Sequence, residues 1–146
     1  QGADNVLIDN VGGIRQAFDF FRRAGVSRLH YLSISNDGNF NFLERRQEME
    51  RLSRDAGLEF IRIDMGEDVD SIRNKSAQLL QTVADTQSMS GVFMENYQVS
   101  IGVLQSLQQI GYPNEILKQV FFACFVEQCT TLSSQLGCPS GSSSYD

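Results

Sequence analysis

No apolar run in this sequence approaches the roughly 20 residues a membrane-spanning helix needs, and residues 1–4 show no basic stretch leading into an apolar one. The chain as it stands is expected to be soluble, without a targeting segment. Histidine is nearly absent: His30 is alone, so a cysteine and histidine zinc site would have to gather widely separated ligands, and no metal is expected. Three cysteines, Cys124, Cys129 and Cys138, cannot all pair within one chain, and none sits in a C-x-x-C arrangement. They read as reduced thiols of a cytoplasmic protein. Basic charge is also short. With 12 Lys and Arg against 18 Asp and Glu, the formal net charge is -6, which opposes a phosphate-binding surface, since nucleic-acid affinity depends on basic groups displacing counterions.

The signatures of several enzyme classes are missing too. There is no Gly-x-x-x-x-Gly-Lys-Ser/Thr phosphate loop and no Gly-x-Ser-x-Gly elbow, and residues 9–13 lack the spacing of a dinucleotide fingerprint. The expectation is a protein that binds and does not catalyse, with no cofactor. Asp9 and Asp64, at the ends of two predicted strands, leave open an acid and base pair or a metal-holding pair.

What is present is alternation. Short apolar runs are each followed by a segment with helical spacing, the signature of a parallel sheet covered by helices on both faces. Strands are predicted at 6–8, 29–34, 58–65, 91–94 and 120–126. Helices are predicted from about 14 to Gly25, at 42–56, 71–86 and 97–110, with a short helix or turn near 130–136. The helix over 42–56 would bury Leu43, Met49, Leu52 and Ala56, and Asp70 or Ser71 would cap the helix that follows. The 91–94 strand is apolar on both faces and so belongs in the middle of the sheet. The fold class is therefore α/β, a three-layer sandwich with a parallel sheet of about five or six strands. Residues 1–137 form a single lobe, and 138–146 form a serine-rich tail.

In such sheets ligands bind outside the carboxyl ends of the strands. That edge collects Asp9 and Asn10, residues 36–41, residues 66–70, Glu95 and Asn96, and residues 126–128, with Phe40, Phe42 and Tyr97 as flat apolar surface. Amides and carboxylates beside aromatic rings suit a sugar or nucleoside-like ligand, whose hydroxyls need paired acceptors and donors. From this set Phe40, Asn41, Asn96 and Tyr97 are candidate contacts. Asn10 reads more readily as a helix cap, Asn96 equally as a cap or a binding amide, and Arg45 with Arg46 as a solvated helix face.

The order of these motifs resembles the ligand-binding core of the lactose and galactose repressor (LacI/GalR) family of transcription regulators. Ile8, Asp9 and Asn10 with Gly13, Ala17, Gly25 and Leu29 are similar to its opening pattern. Residues 91–96, followed by Gly102, Leu104, Leu107 and Gly111, are similar to a later one, as are Asn114, Glu115 and Ile116 ahead of 120–125. Arg45, twelve residues before Gly57, falls at the family's effector-binding arginine.

The resemblance implies the C-terminal lobe of a two-lobed, periplasmic-binding-protein-like type I core that clamps a small effector. Asn96 would lie at a binding position, Arg45 would touch the ligand, and the 138–146 tail would stand at a crossing between lobes. It also implies a homodimer through the 97–110 helix and the segment around 129–136, with DNA contacted only through a domain outside this chain. Three positions depart from the pattern: Val126 and Tyr97 stand for aspartates and Glu48 for glycine, so a carboxylate that would bind paired hydroxyls is lost at 126. A lobe of an extracytoplasmic sugar-binding protein, or an autonomous α/β domain without sugar binding, remains a competing expectation.

Overall fold

Four parallel strands, hydrogen-bonded in the order β2-β1-β3-β4, organise the chain. The computed structural model describes residues 9–34, 38–86, 88–111 and 114–125. The elements run α1 (Asn10–Ala24), β1 (Arg28–Ser33), α2 (Phe40–Ala56), β2 (Glu59–Asp64), α3 (Val69–Asp85), β3 (Ser90–Met94), α4 (Tyr97–Gln109), α5 (Asn114–Gln119) and β4 (Val120–Cys124). The expected strand at 6–8, the short helix near 130–136, Val126 and the 138–146 tail lie outside the described residues. No helix of the described residues is long and apolar enough to cross a membrane.

Alternation along the strands divides the core in two, because successive side chains point to opposite faces. Leu29 and Tyr31 of β1, Phe93 of β3 and Ala123 of β4 meet Ile14, Ala17 and Phe21 of α1 and Met49 of α2. Leu32, Val92, Met94 and Val120 meet Ile72, Leu80 and Val83 of α3 and Val99, Val103 and Leu107 of α4. One helix pair thus covers each face, giving the three layers. Phe21 and Phe93 are fully buried, each burial stabilising the fold by about 1.5–3 kcal/mol. β3 is buried at every position and sits between β1 and β4, the place its two apolar faces predict.

Glycine ends two helices as expected. Gly25 (φ 82°) and Gly57 (φ 77°) take the left-handed conformation, and their amides bond back to Arg22 and Arg54 carbonyls, a geometry that costs residues with a Cβ.

Four expectations need correction. Leu43 is 37% exposed, and the buried face of α2 is Phe42, Arg45, Arg46, Met49 and Ser53. An apolar stripe on this helix requires the arginines to face water, and here Arg45 and Arg46 are inside. Asp68 caps α3, accepting from the Ser71 amide at 2.7 Å, so the helix starts earlier than an Asp70 or Ser71 cap allows. A further helix, α5, follows the break after α4. Cys124 is disulfide-bonded, which corrects its reading as a reduced thiol; spacing in sequence excludes a motif but says nothing of how close two sulfurs come in space.

α3 and α4 approach closely at Gly102, where an added Cβ would overlap the Ile72 side chain. Ile72 is 4% exposed and β-branched, so it has little freedom to move aside. Gly102→Ala is expected to destabilise the fold by about 1–3 kcal/mol, read as a lower urea midpoint at unchanged slope. The cost should shrink in an Ile72→Ala background; an equal cost in both backgrounds would place the strain elsewhere.

Candidate functional site

Because every strand is parallel, β1, β2, β3 and β4 all end at one edge, where Ile34, Met65, Glu95 and Phe125 follow them. Backbone bonds hold that edge together: the Glu95 amide donates to the Leu32 carbonyl at 3.0 Å, Phe125 to Met94 at 3.0 Å, and Met65 to Ser33 at 2.7 Å. Helices α1 to α4 start there too, each capped by an Asp or Asn side chain: Asp9 to Gly12, Asn39 to Asn41 and Phe42, Asp68 to Ser71, and Asn96 to Val99. Caps of this kind satisfy amides that the first helical turn leaves without partners.

Beneath the edge lies a polar cluster that excludes water. Arg45 is 0% exposed. Its Nε donates to Asn10 Oδ1 at 2.9 Å and one terminal nitrogen donates to the Glu95 carbonyl at 3.1 Å. The guanidinium carbon stands 3.8 Å from the centroid of the Phe125 ring and 5.4 Å from that of Phe42. Asn10, also buried, completes its bonding by donating Nδ2 to Asn41 Oδ1 at 2.9 Å and to Glu44 Oε1 at 2.6 Å. One arginine of α2 therefore ties the start of α1 to the ends of β3 and β4.

Glu95 is the second buried charge-bearing group. Its carboxylate accepts from the Tyr31 hydroxyl at 2.9 Å and the Ile34 amide at 3.4 Å. Burial pushes the carboxyl above its ordinary value, against the opposing pull of those two donors and of Arg46 and Arg45. The Tyr31 hydroxyl is pushed well above its ordinary value, by burial first and then by the neighbouring Glu95.

The candidate contacts separate into two groups. Phe40 (69% exposed) and Tyr97 (43% exposed) open α2 and α4 at the carboxyl edge and present their rings to solvent. Asn41 is half-buried and joined to Arg45 through Asn10. Asn96 follows Glu95 directly, and its side-chain oxygen is engaged as the α4 cap. Arg45 lies beneath these residues, fully buried and not on the solvated helix face that its pattern suggests.

Asn10, expected as a cap, is not the cap; Asp9 is, and Asn10 is the junction of the cluster. Asp9 and Asp64 have separate local duties, Asp9 at the Gly12 amide and Asp64 at the Gly66 amide. Sequence reasoning gave Glu44 and Tyr31 no role. A tyrosine in an otherwise apolar strand, whose hydroxyl must find a partner once buried, was the available signal. For Glu44, on a charged helix, there was none.

Two grooves are lined by residues outside this cluster. One, of 620 Å³, runs along β2 and α3 past Arg28, Glu59 and Lys75. The other, of 490 Å³, lies between α1 and α2 past Arg15 and Arg22.

No family model matches the chain, and no curated protein matches it. Solved structures do. A LacI-family sugar-binding transcriptional regulator from Enterococcus faecalis aligns with a TM-score of 0.68 at 23% identity, over 82% of this chain and 43% of that one. The periplasmic component of an ABC-type sugar transport system from Hahella chejuensis aligns at 0.66 and 23%, over 90% and 47%. The trehalose repressor from Escherichia coli aligns at 0.66 and 12%, over 87% and 46%. This chain spans less than half the length of each, and it has their fold: a parallel α/β lobe of the periplasmic-binding-protein-like type.

Two predictions test the cluster. Arg45→Ala leaves the Asn10 oxygen and the Glu95 carbonyl without their donor and opens a cavity against Phe125, so it should cost about 3–5 kcal/mol. Arg45→Lys, which keeps the charge but loses the planar fork, should still cost about 2 kcal/mol; a loss below about 0.5 kcal/mol for both, measured by urea unfolding, would show that the cluster carries no stability. For Glu95, a carboxyl raised on folding adds stability that is complete below the ordinary value of 4.5 and is lost as pH rises through the native value. The stability of Glu95→Gln relative to the parent should therefore climb with pH above about 4.5, by at most about 1.4 kcal/mol per unit. A difference flat from pH 4 to 8 would refute that.

Proposed function

We propose that this chain is the effector-binding lobe of a LacI/GalR-type transcription regulator, and that its carboxyl edge forms one wall of a cleft for a sugar or related small molecule. The observation that carries the reading is the juxtaposition of exposed rings with ordered polar groups: Phe40 and Tyr97 at the edge, and Asn41 and Glu44 fixed by Asn10 between them and the core. A sugar has hydroxyls for the polar groups and an apolar ring face for an aromatic. Arg45 serves this wall from beneath. In the complete regulator a second lobe closes the cleft, a separate unit contacts DNA, and two copies pair through α4, all in the cytoplasm. The fold shared with sugar-binding regulators and transport components supports a binding role, with no catalytic step.

One observation favours a second reading. Disulfides persist in oxidising compartments and are rare in the cytosol, so the bonded Cys124 suits a lobe of a periplasmic sugar-binding protein. Alkylation of the protein in its native cells, followed by mass spectrometry, separates the two. A reduced Cys124 supports the regulator, and an oxidised one supports transport.

The binding role itself is tested by titrating the ¹⁵N-labelled chain with glucose, galactose, ribose and adenosine while following amide shifts. Shifts are expected around Phe40, Asn41, Asn96 and Tyr97, and they should vanish for Phe40→Ala combined with Tyr97→Ala. Shifts confined to the β2 and α3 groove would overturn the placement.

A further inference from the structure

We infer that Glu44 is the carboxylate through which this wall selects its ligand, taking up a pair of adjacent hydroxyls with the oxygen that the fold leaves over. The inference rests on the reading above, that the carboxyl edge binds a polyhydroxylated molecule. Two neighbouring hydroxyls are two donors, and a carboxylate offers acceptor sites enough for both.

The carboxylates near the edge differ in what they have left to offer. Glu95 is 0% exposed and both its oxygens accept, from Tyr31 and from the Ile34 amide. Asp9 and Asp68 each accept a helix-capping amide through one oxygen and Asp64 accepts the Gly66 amide, but all three are exposed, so solvent competes for whatever acceptor sites they have left. Glu44 is half-buried, and among the described residues only its Oε1 has a partner, Asn10 Nδ2 at 2.6 Å. One oxygen anchored and one available is the arrangement of a pre-set acceptor, whose rotamer is fixed before a ligand arrives.

The orientation of that anchor is itself determined. An Asn side chain has an oxygen and a nitrogen at nearly equivalent positions, and its partners decide between them. Arg45 Nε can only donate, so the Asn10 oxygen must face it and the Asn10 nitrogen must face Asn41 and Glu44. Arg45 is thus a positioning residue, acting on Glu44 through Asn10. Phe40 stands four residues before Glu44 on the same helix, the spacing that makes side chains neighbours, and it is the more exposed of the two candidate rings. A ring face for the apolar side of a sugar and a carboxylate for its hydroxyls therefore lie side by side on one helical turn.

The test uses the 146-residue chain, ¹⁵N-labelled, titrated with glucose, galactose and ribose, and with 2-deoxyribose as a probe that lacks both adjacent pairs formed with the 2-hydroxyl. Glu44→Gln keeps the oxygen that accepts from Asn10 and loses the charge. It should leave the overall spectrum unchanged and reduce the initial slope of shift against sugar concentration about tenfold, the worth of one charge-assisted hydrogen bond. Ribose should lose more than 2-deoxyribose. Arg45→Lys should weaken the same probes in the same order while retaining the folded spectrum, and adding Glu44→Gln to it should weaken them little further. If the parent binds a sugar at this edge and Glu44→Gln binds it within twofold, the assignment of Glu44 fails while the site stands. If the parent shows no shifts with any probe, both fail.

Discussion

A cation taken out of water is the constraint on which the rest of this structure depends. Burying the Arg45 guanidinium costs several kcal/mol in lost hydration, and the fold offsets that cost with partners drawn from three elements. Asn10 comes from the start of α1, the Glu95 carbonyl from the end of β3, and the Phe125 ring from just beyond β4. Each must be in place for the others to count, because a half-satisfied buried network is worse than an apolar core. The arginine therefore fixes how the helices and strands meet at the carboxyl edge, where the candidate site lies.

Order spreads outward from it in steps. Asn10, oriented by Arg45, orients Asn41 and Glu44, which are half in solvent; beyond them Phe40 and Tyr97 are exposed. The gradient from a water-free centre to an open rim gives a rigid wall without consuming every polar group in its own folding. Glu95 extends the same logic on the other side of the arginine. Its raised carboxyl is the consequence of closing the sheet edge over a group that Tyr31 and a backbone amide already hold.

The shared fold sets the frame within which these details act. Regulators and transport components share this architecture, and a likeness of fold does not choose between them. The polar groups around Asn10 are properties of this chain's own residues and do not follow from the shared topology.

The layers, the parallel alternation and the central place of β3 were legible in the sequence. Those follow from periodicity and from glycines such as Gly25 and Gly57, signals contained within a few neighbouring residues. It also named Phe40, Asn41 and Tyr97 as edge residues, since each stands where a strand gives way to a helix. Only the tertiary structure decided the rest. Arg45 reads from its pattern as a solvated helix residue, and it is buried, because the three groups that make its burial tolerable stand 35, 50 and 80 positions away in sequence. Leu43 yielded its inward place to the arginines for the same reason, and Glu44 gained a role only when Asn10 folded against it. Pattern reads what a residue type prefers in water; whether a charge can be buried depends on distant partners, and those come together only in three dimensions.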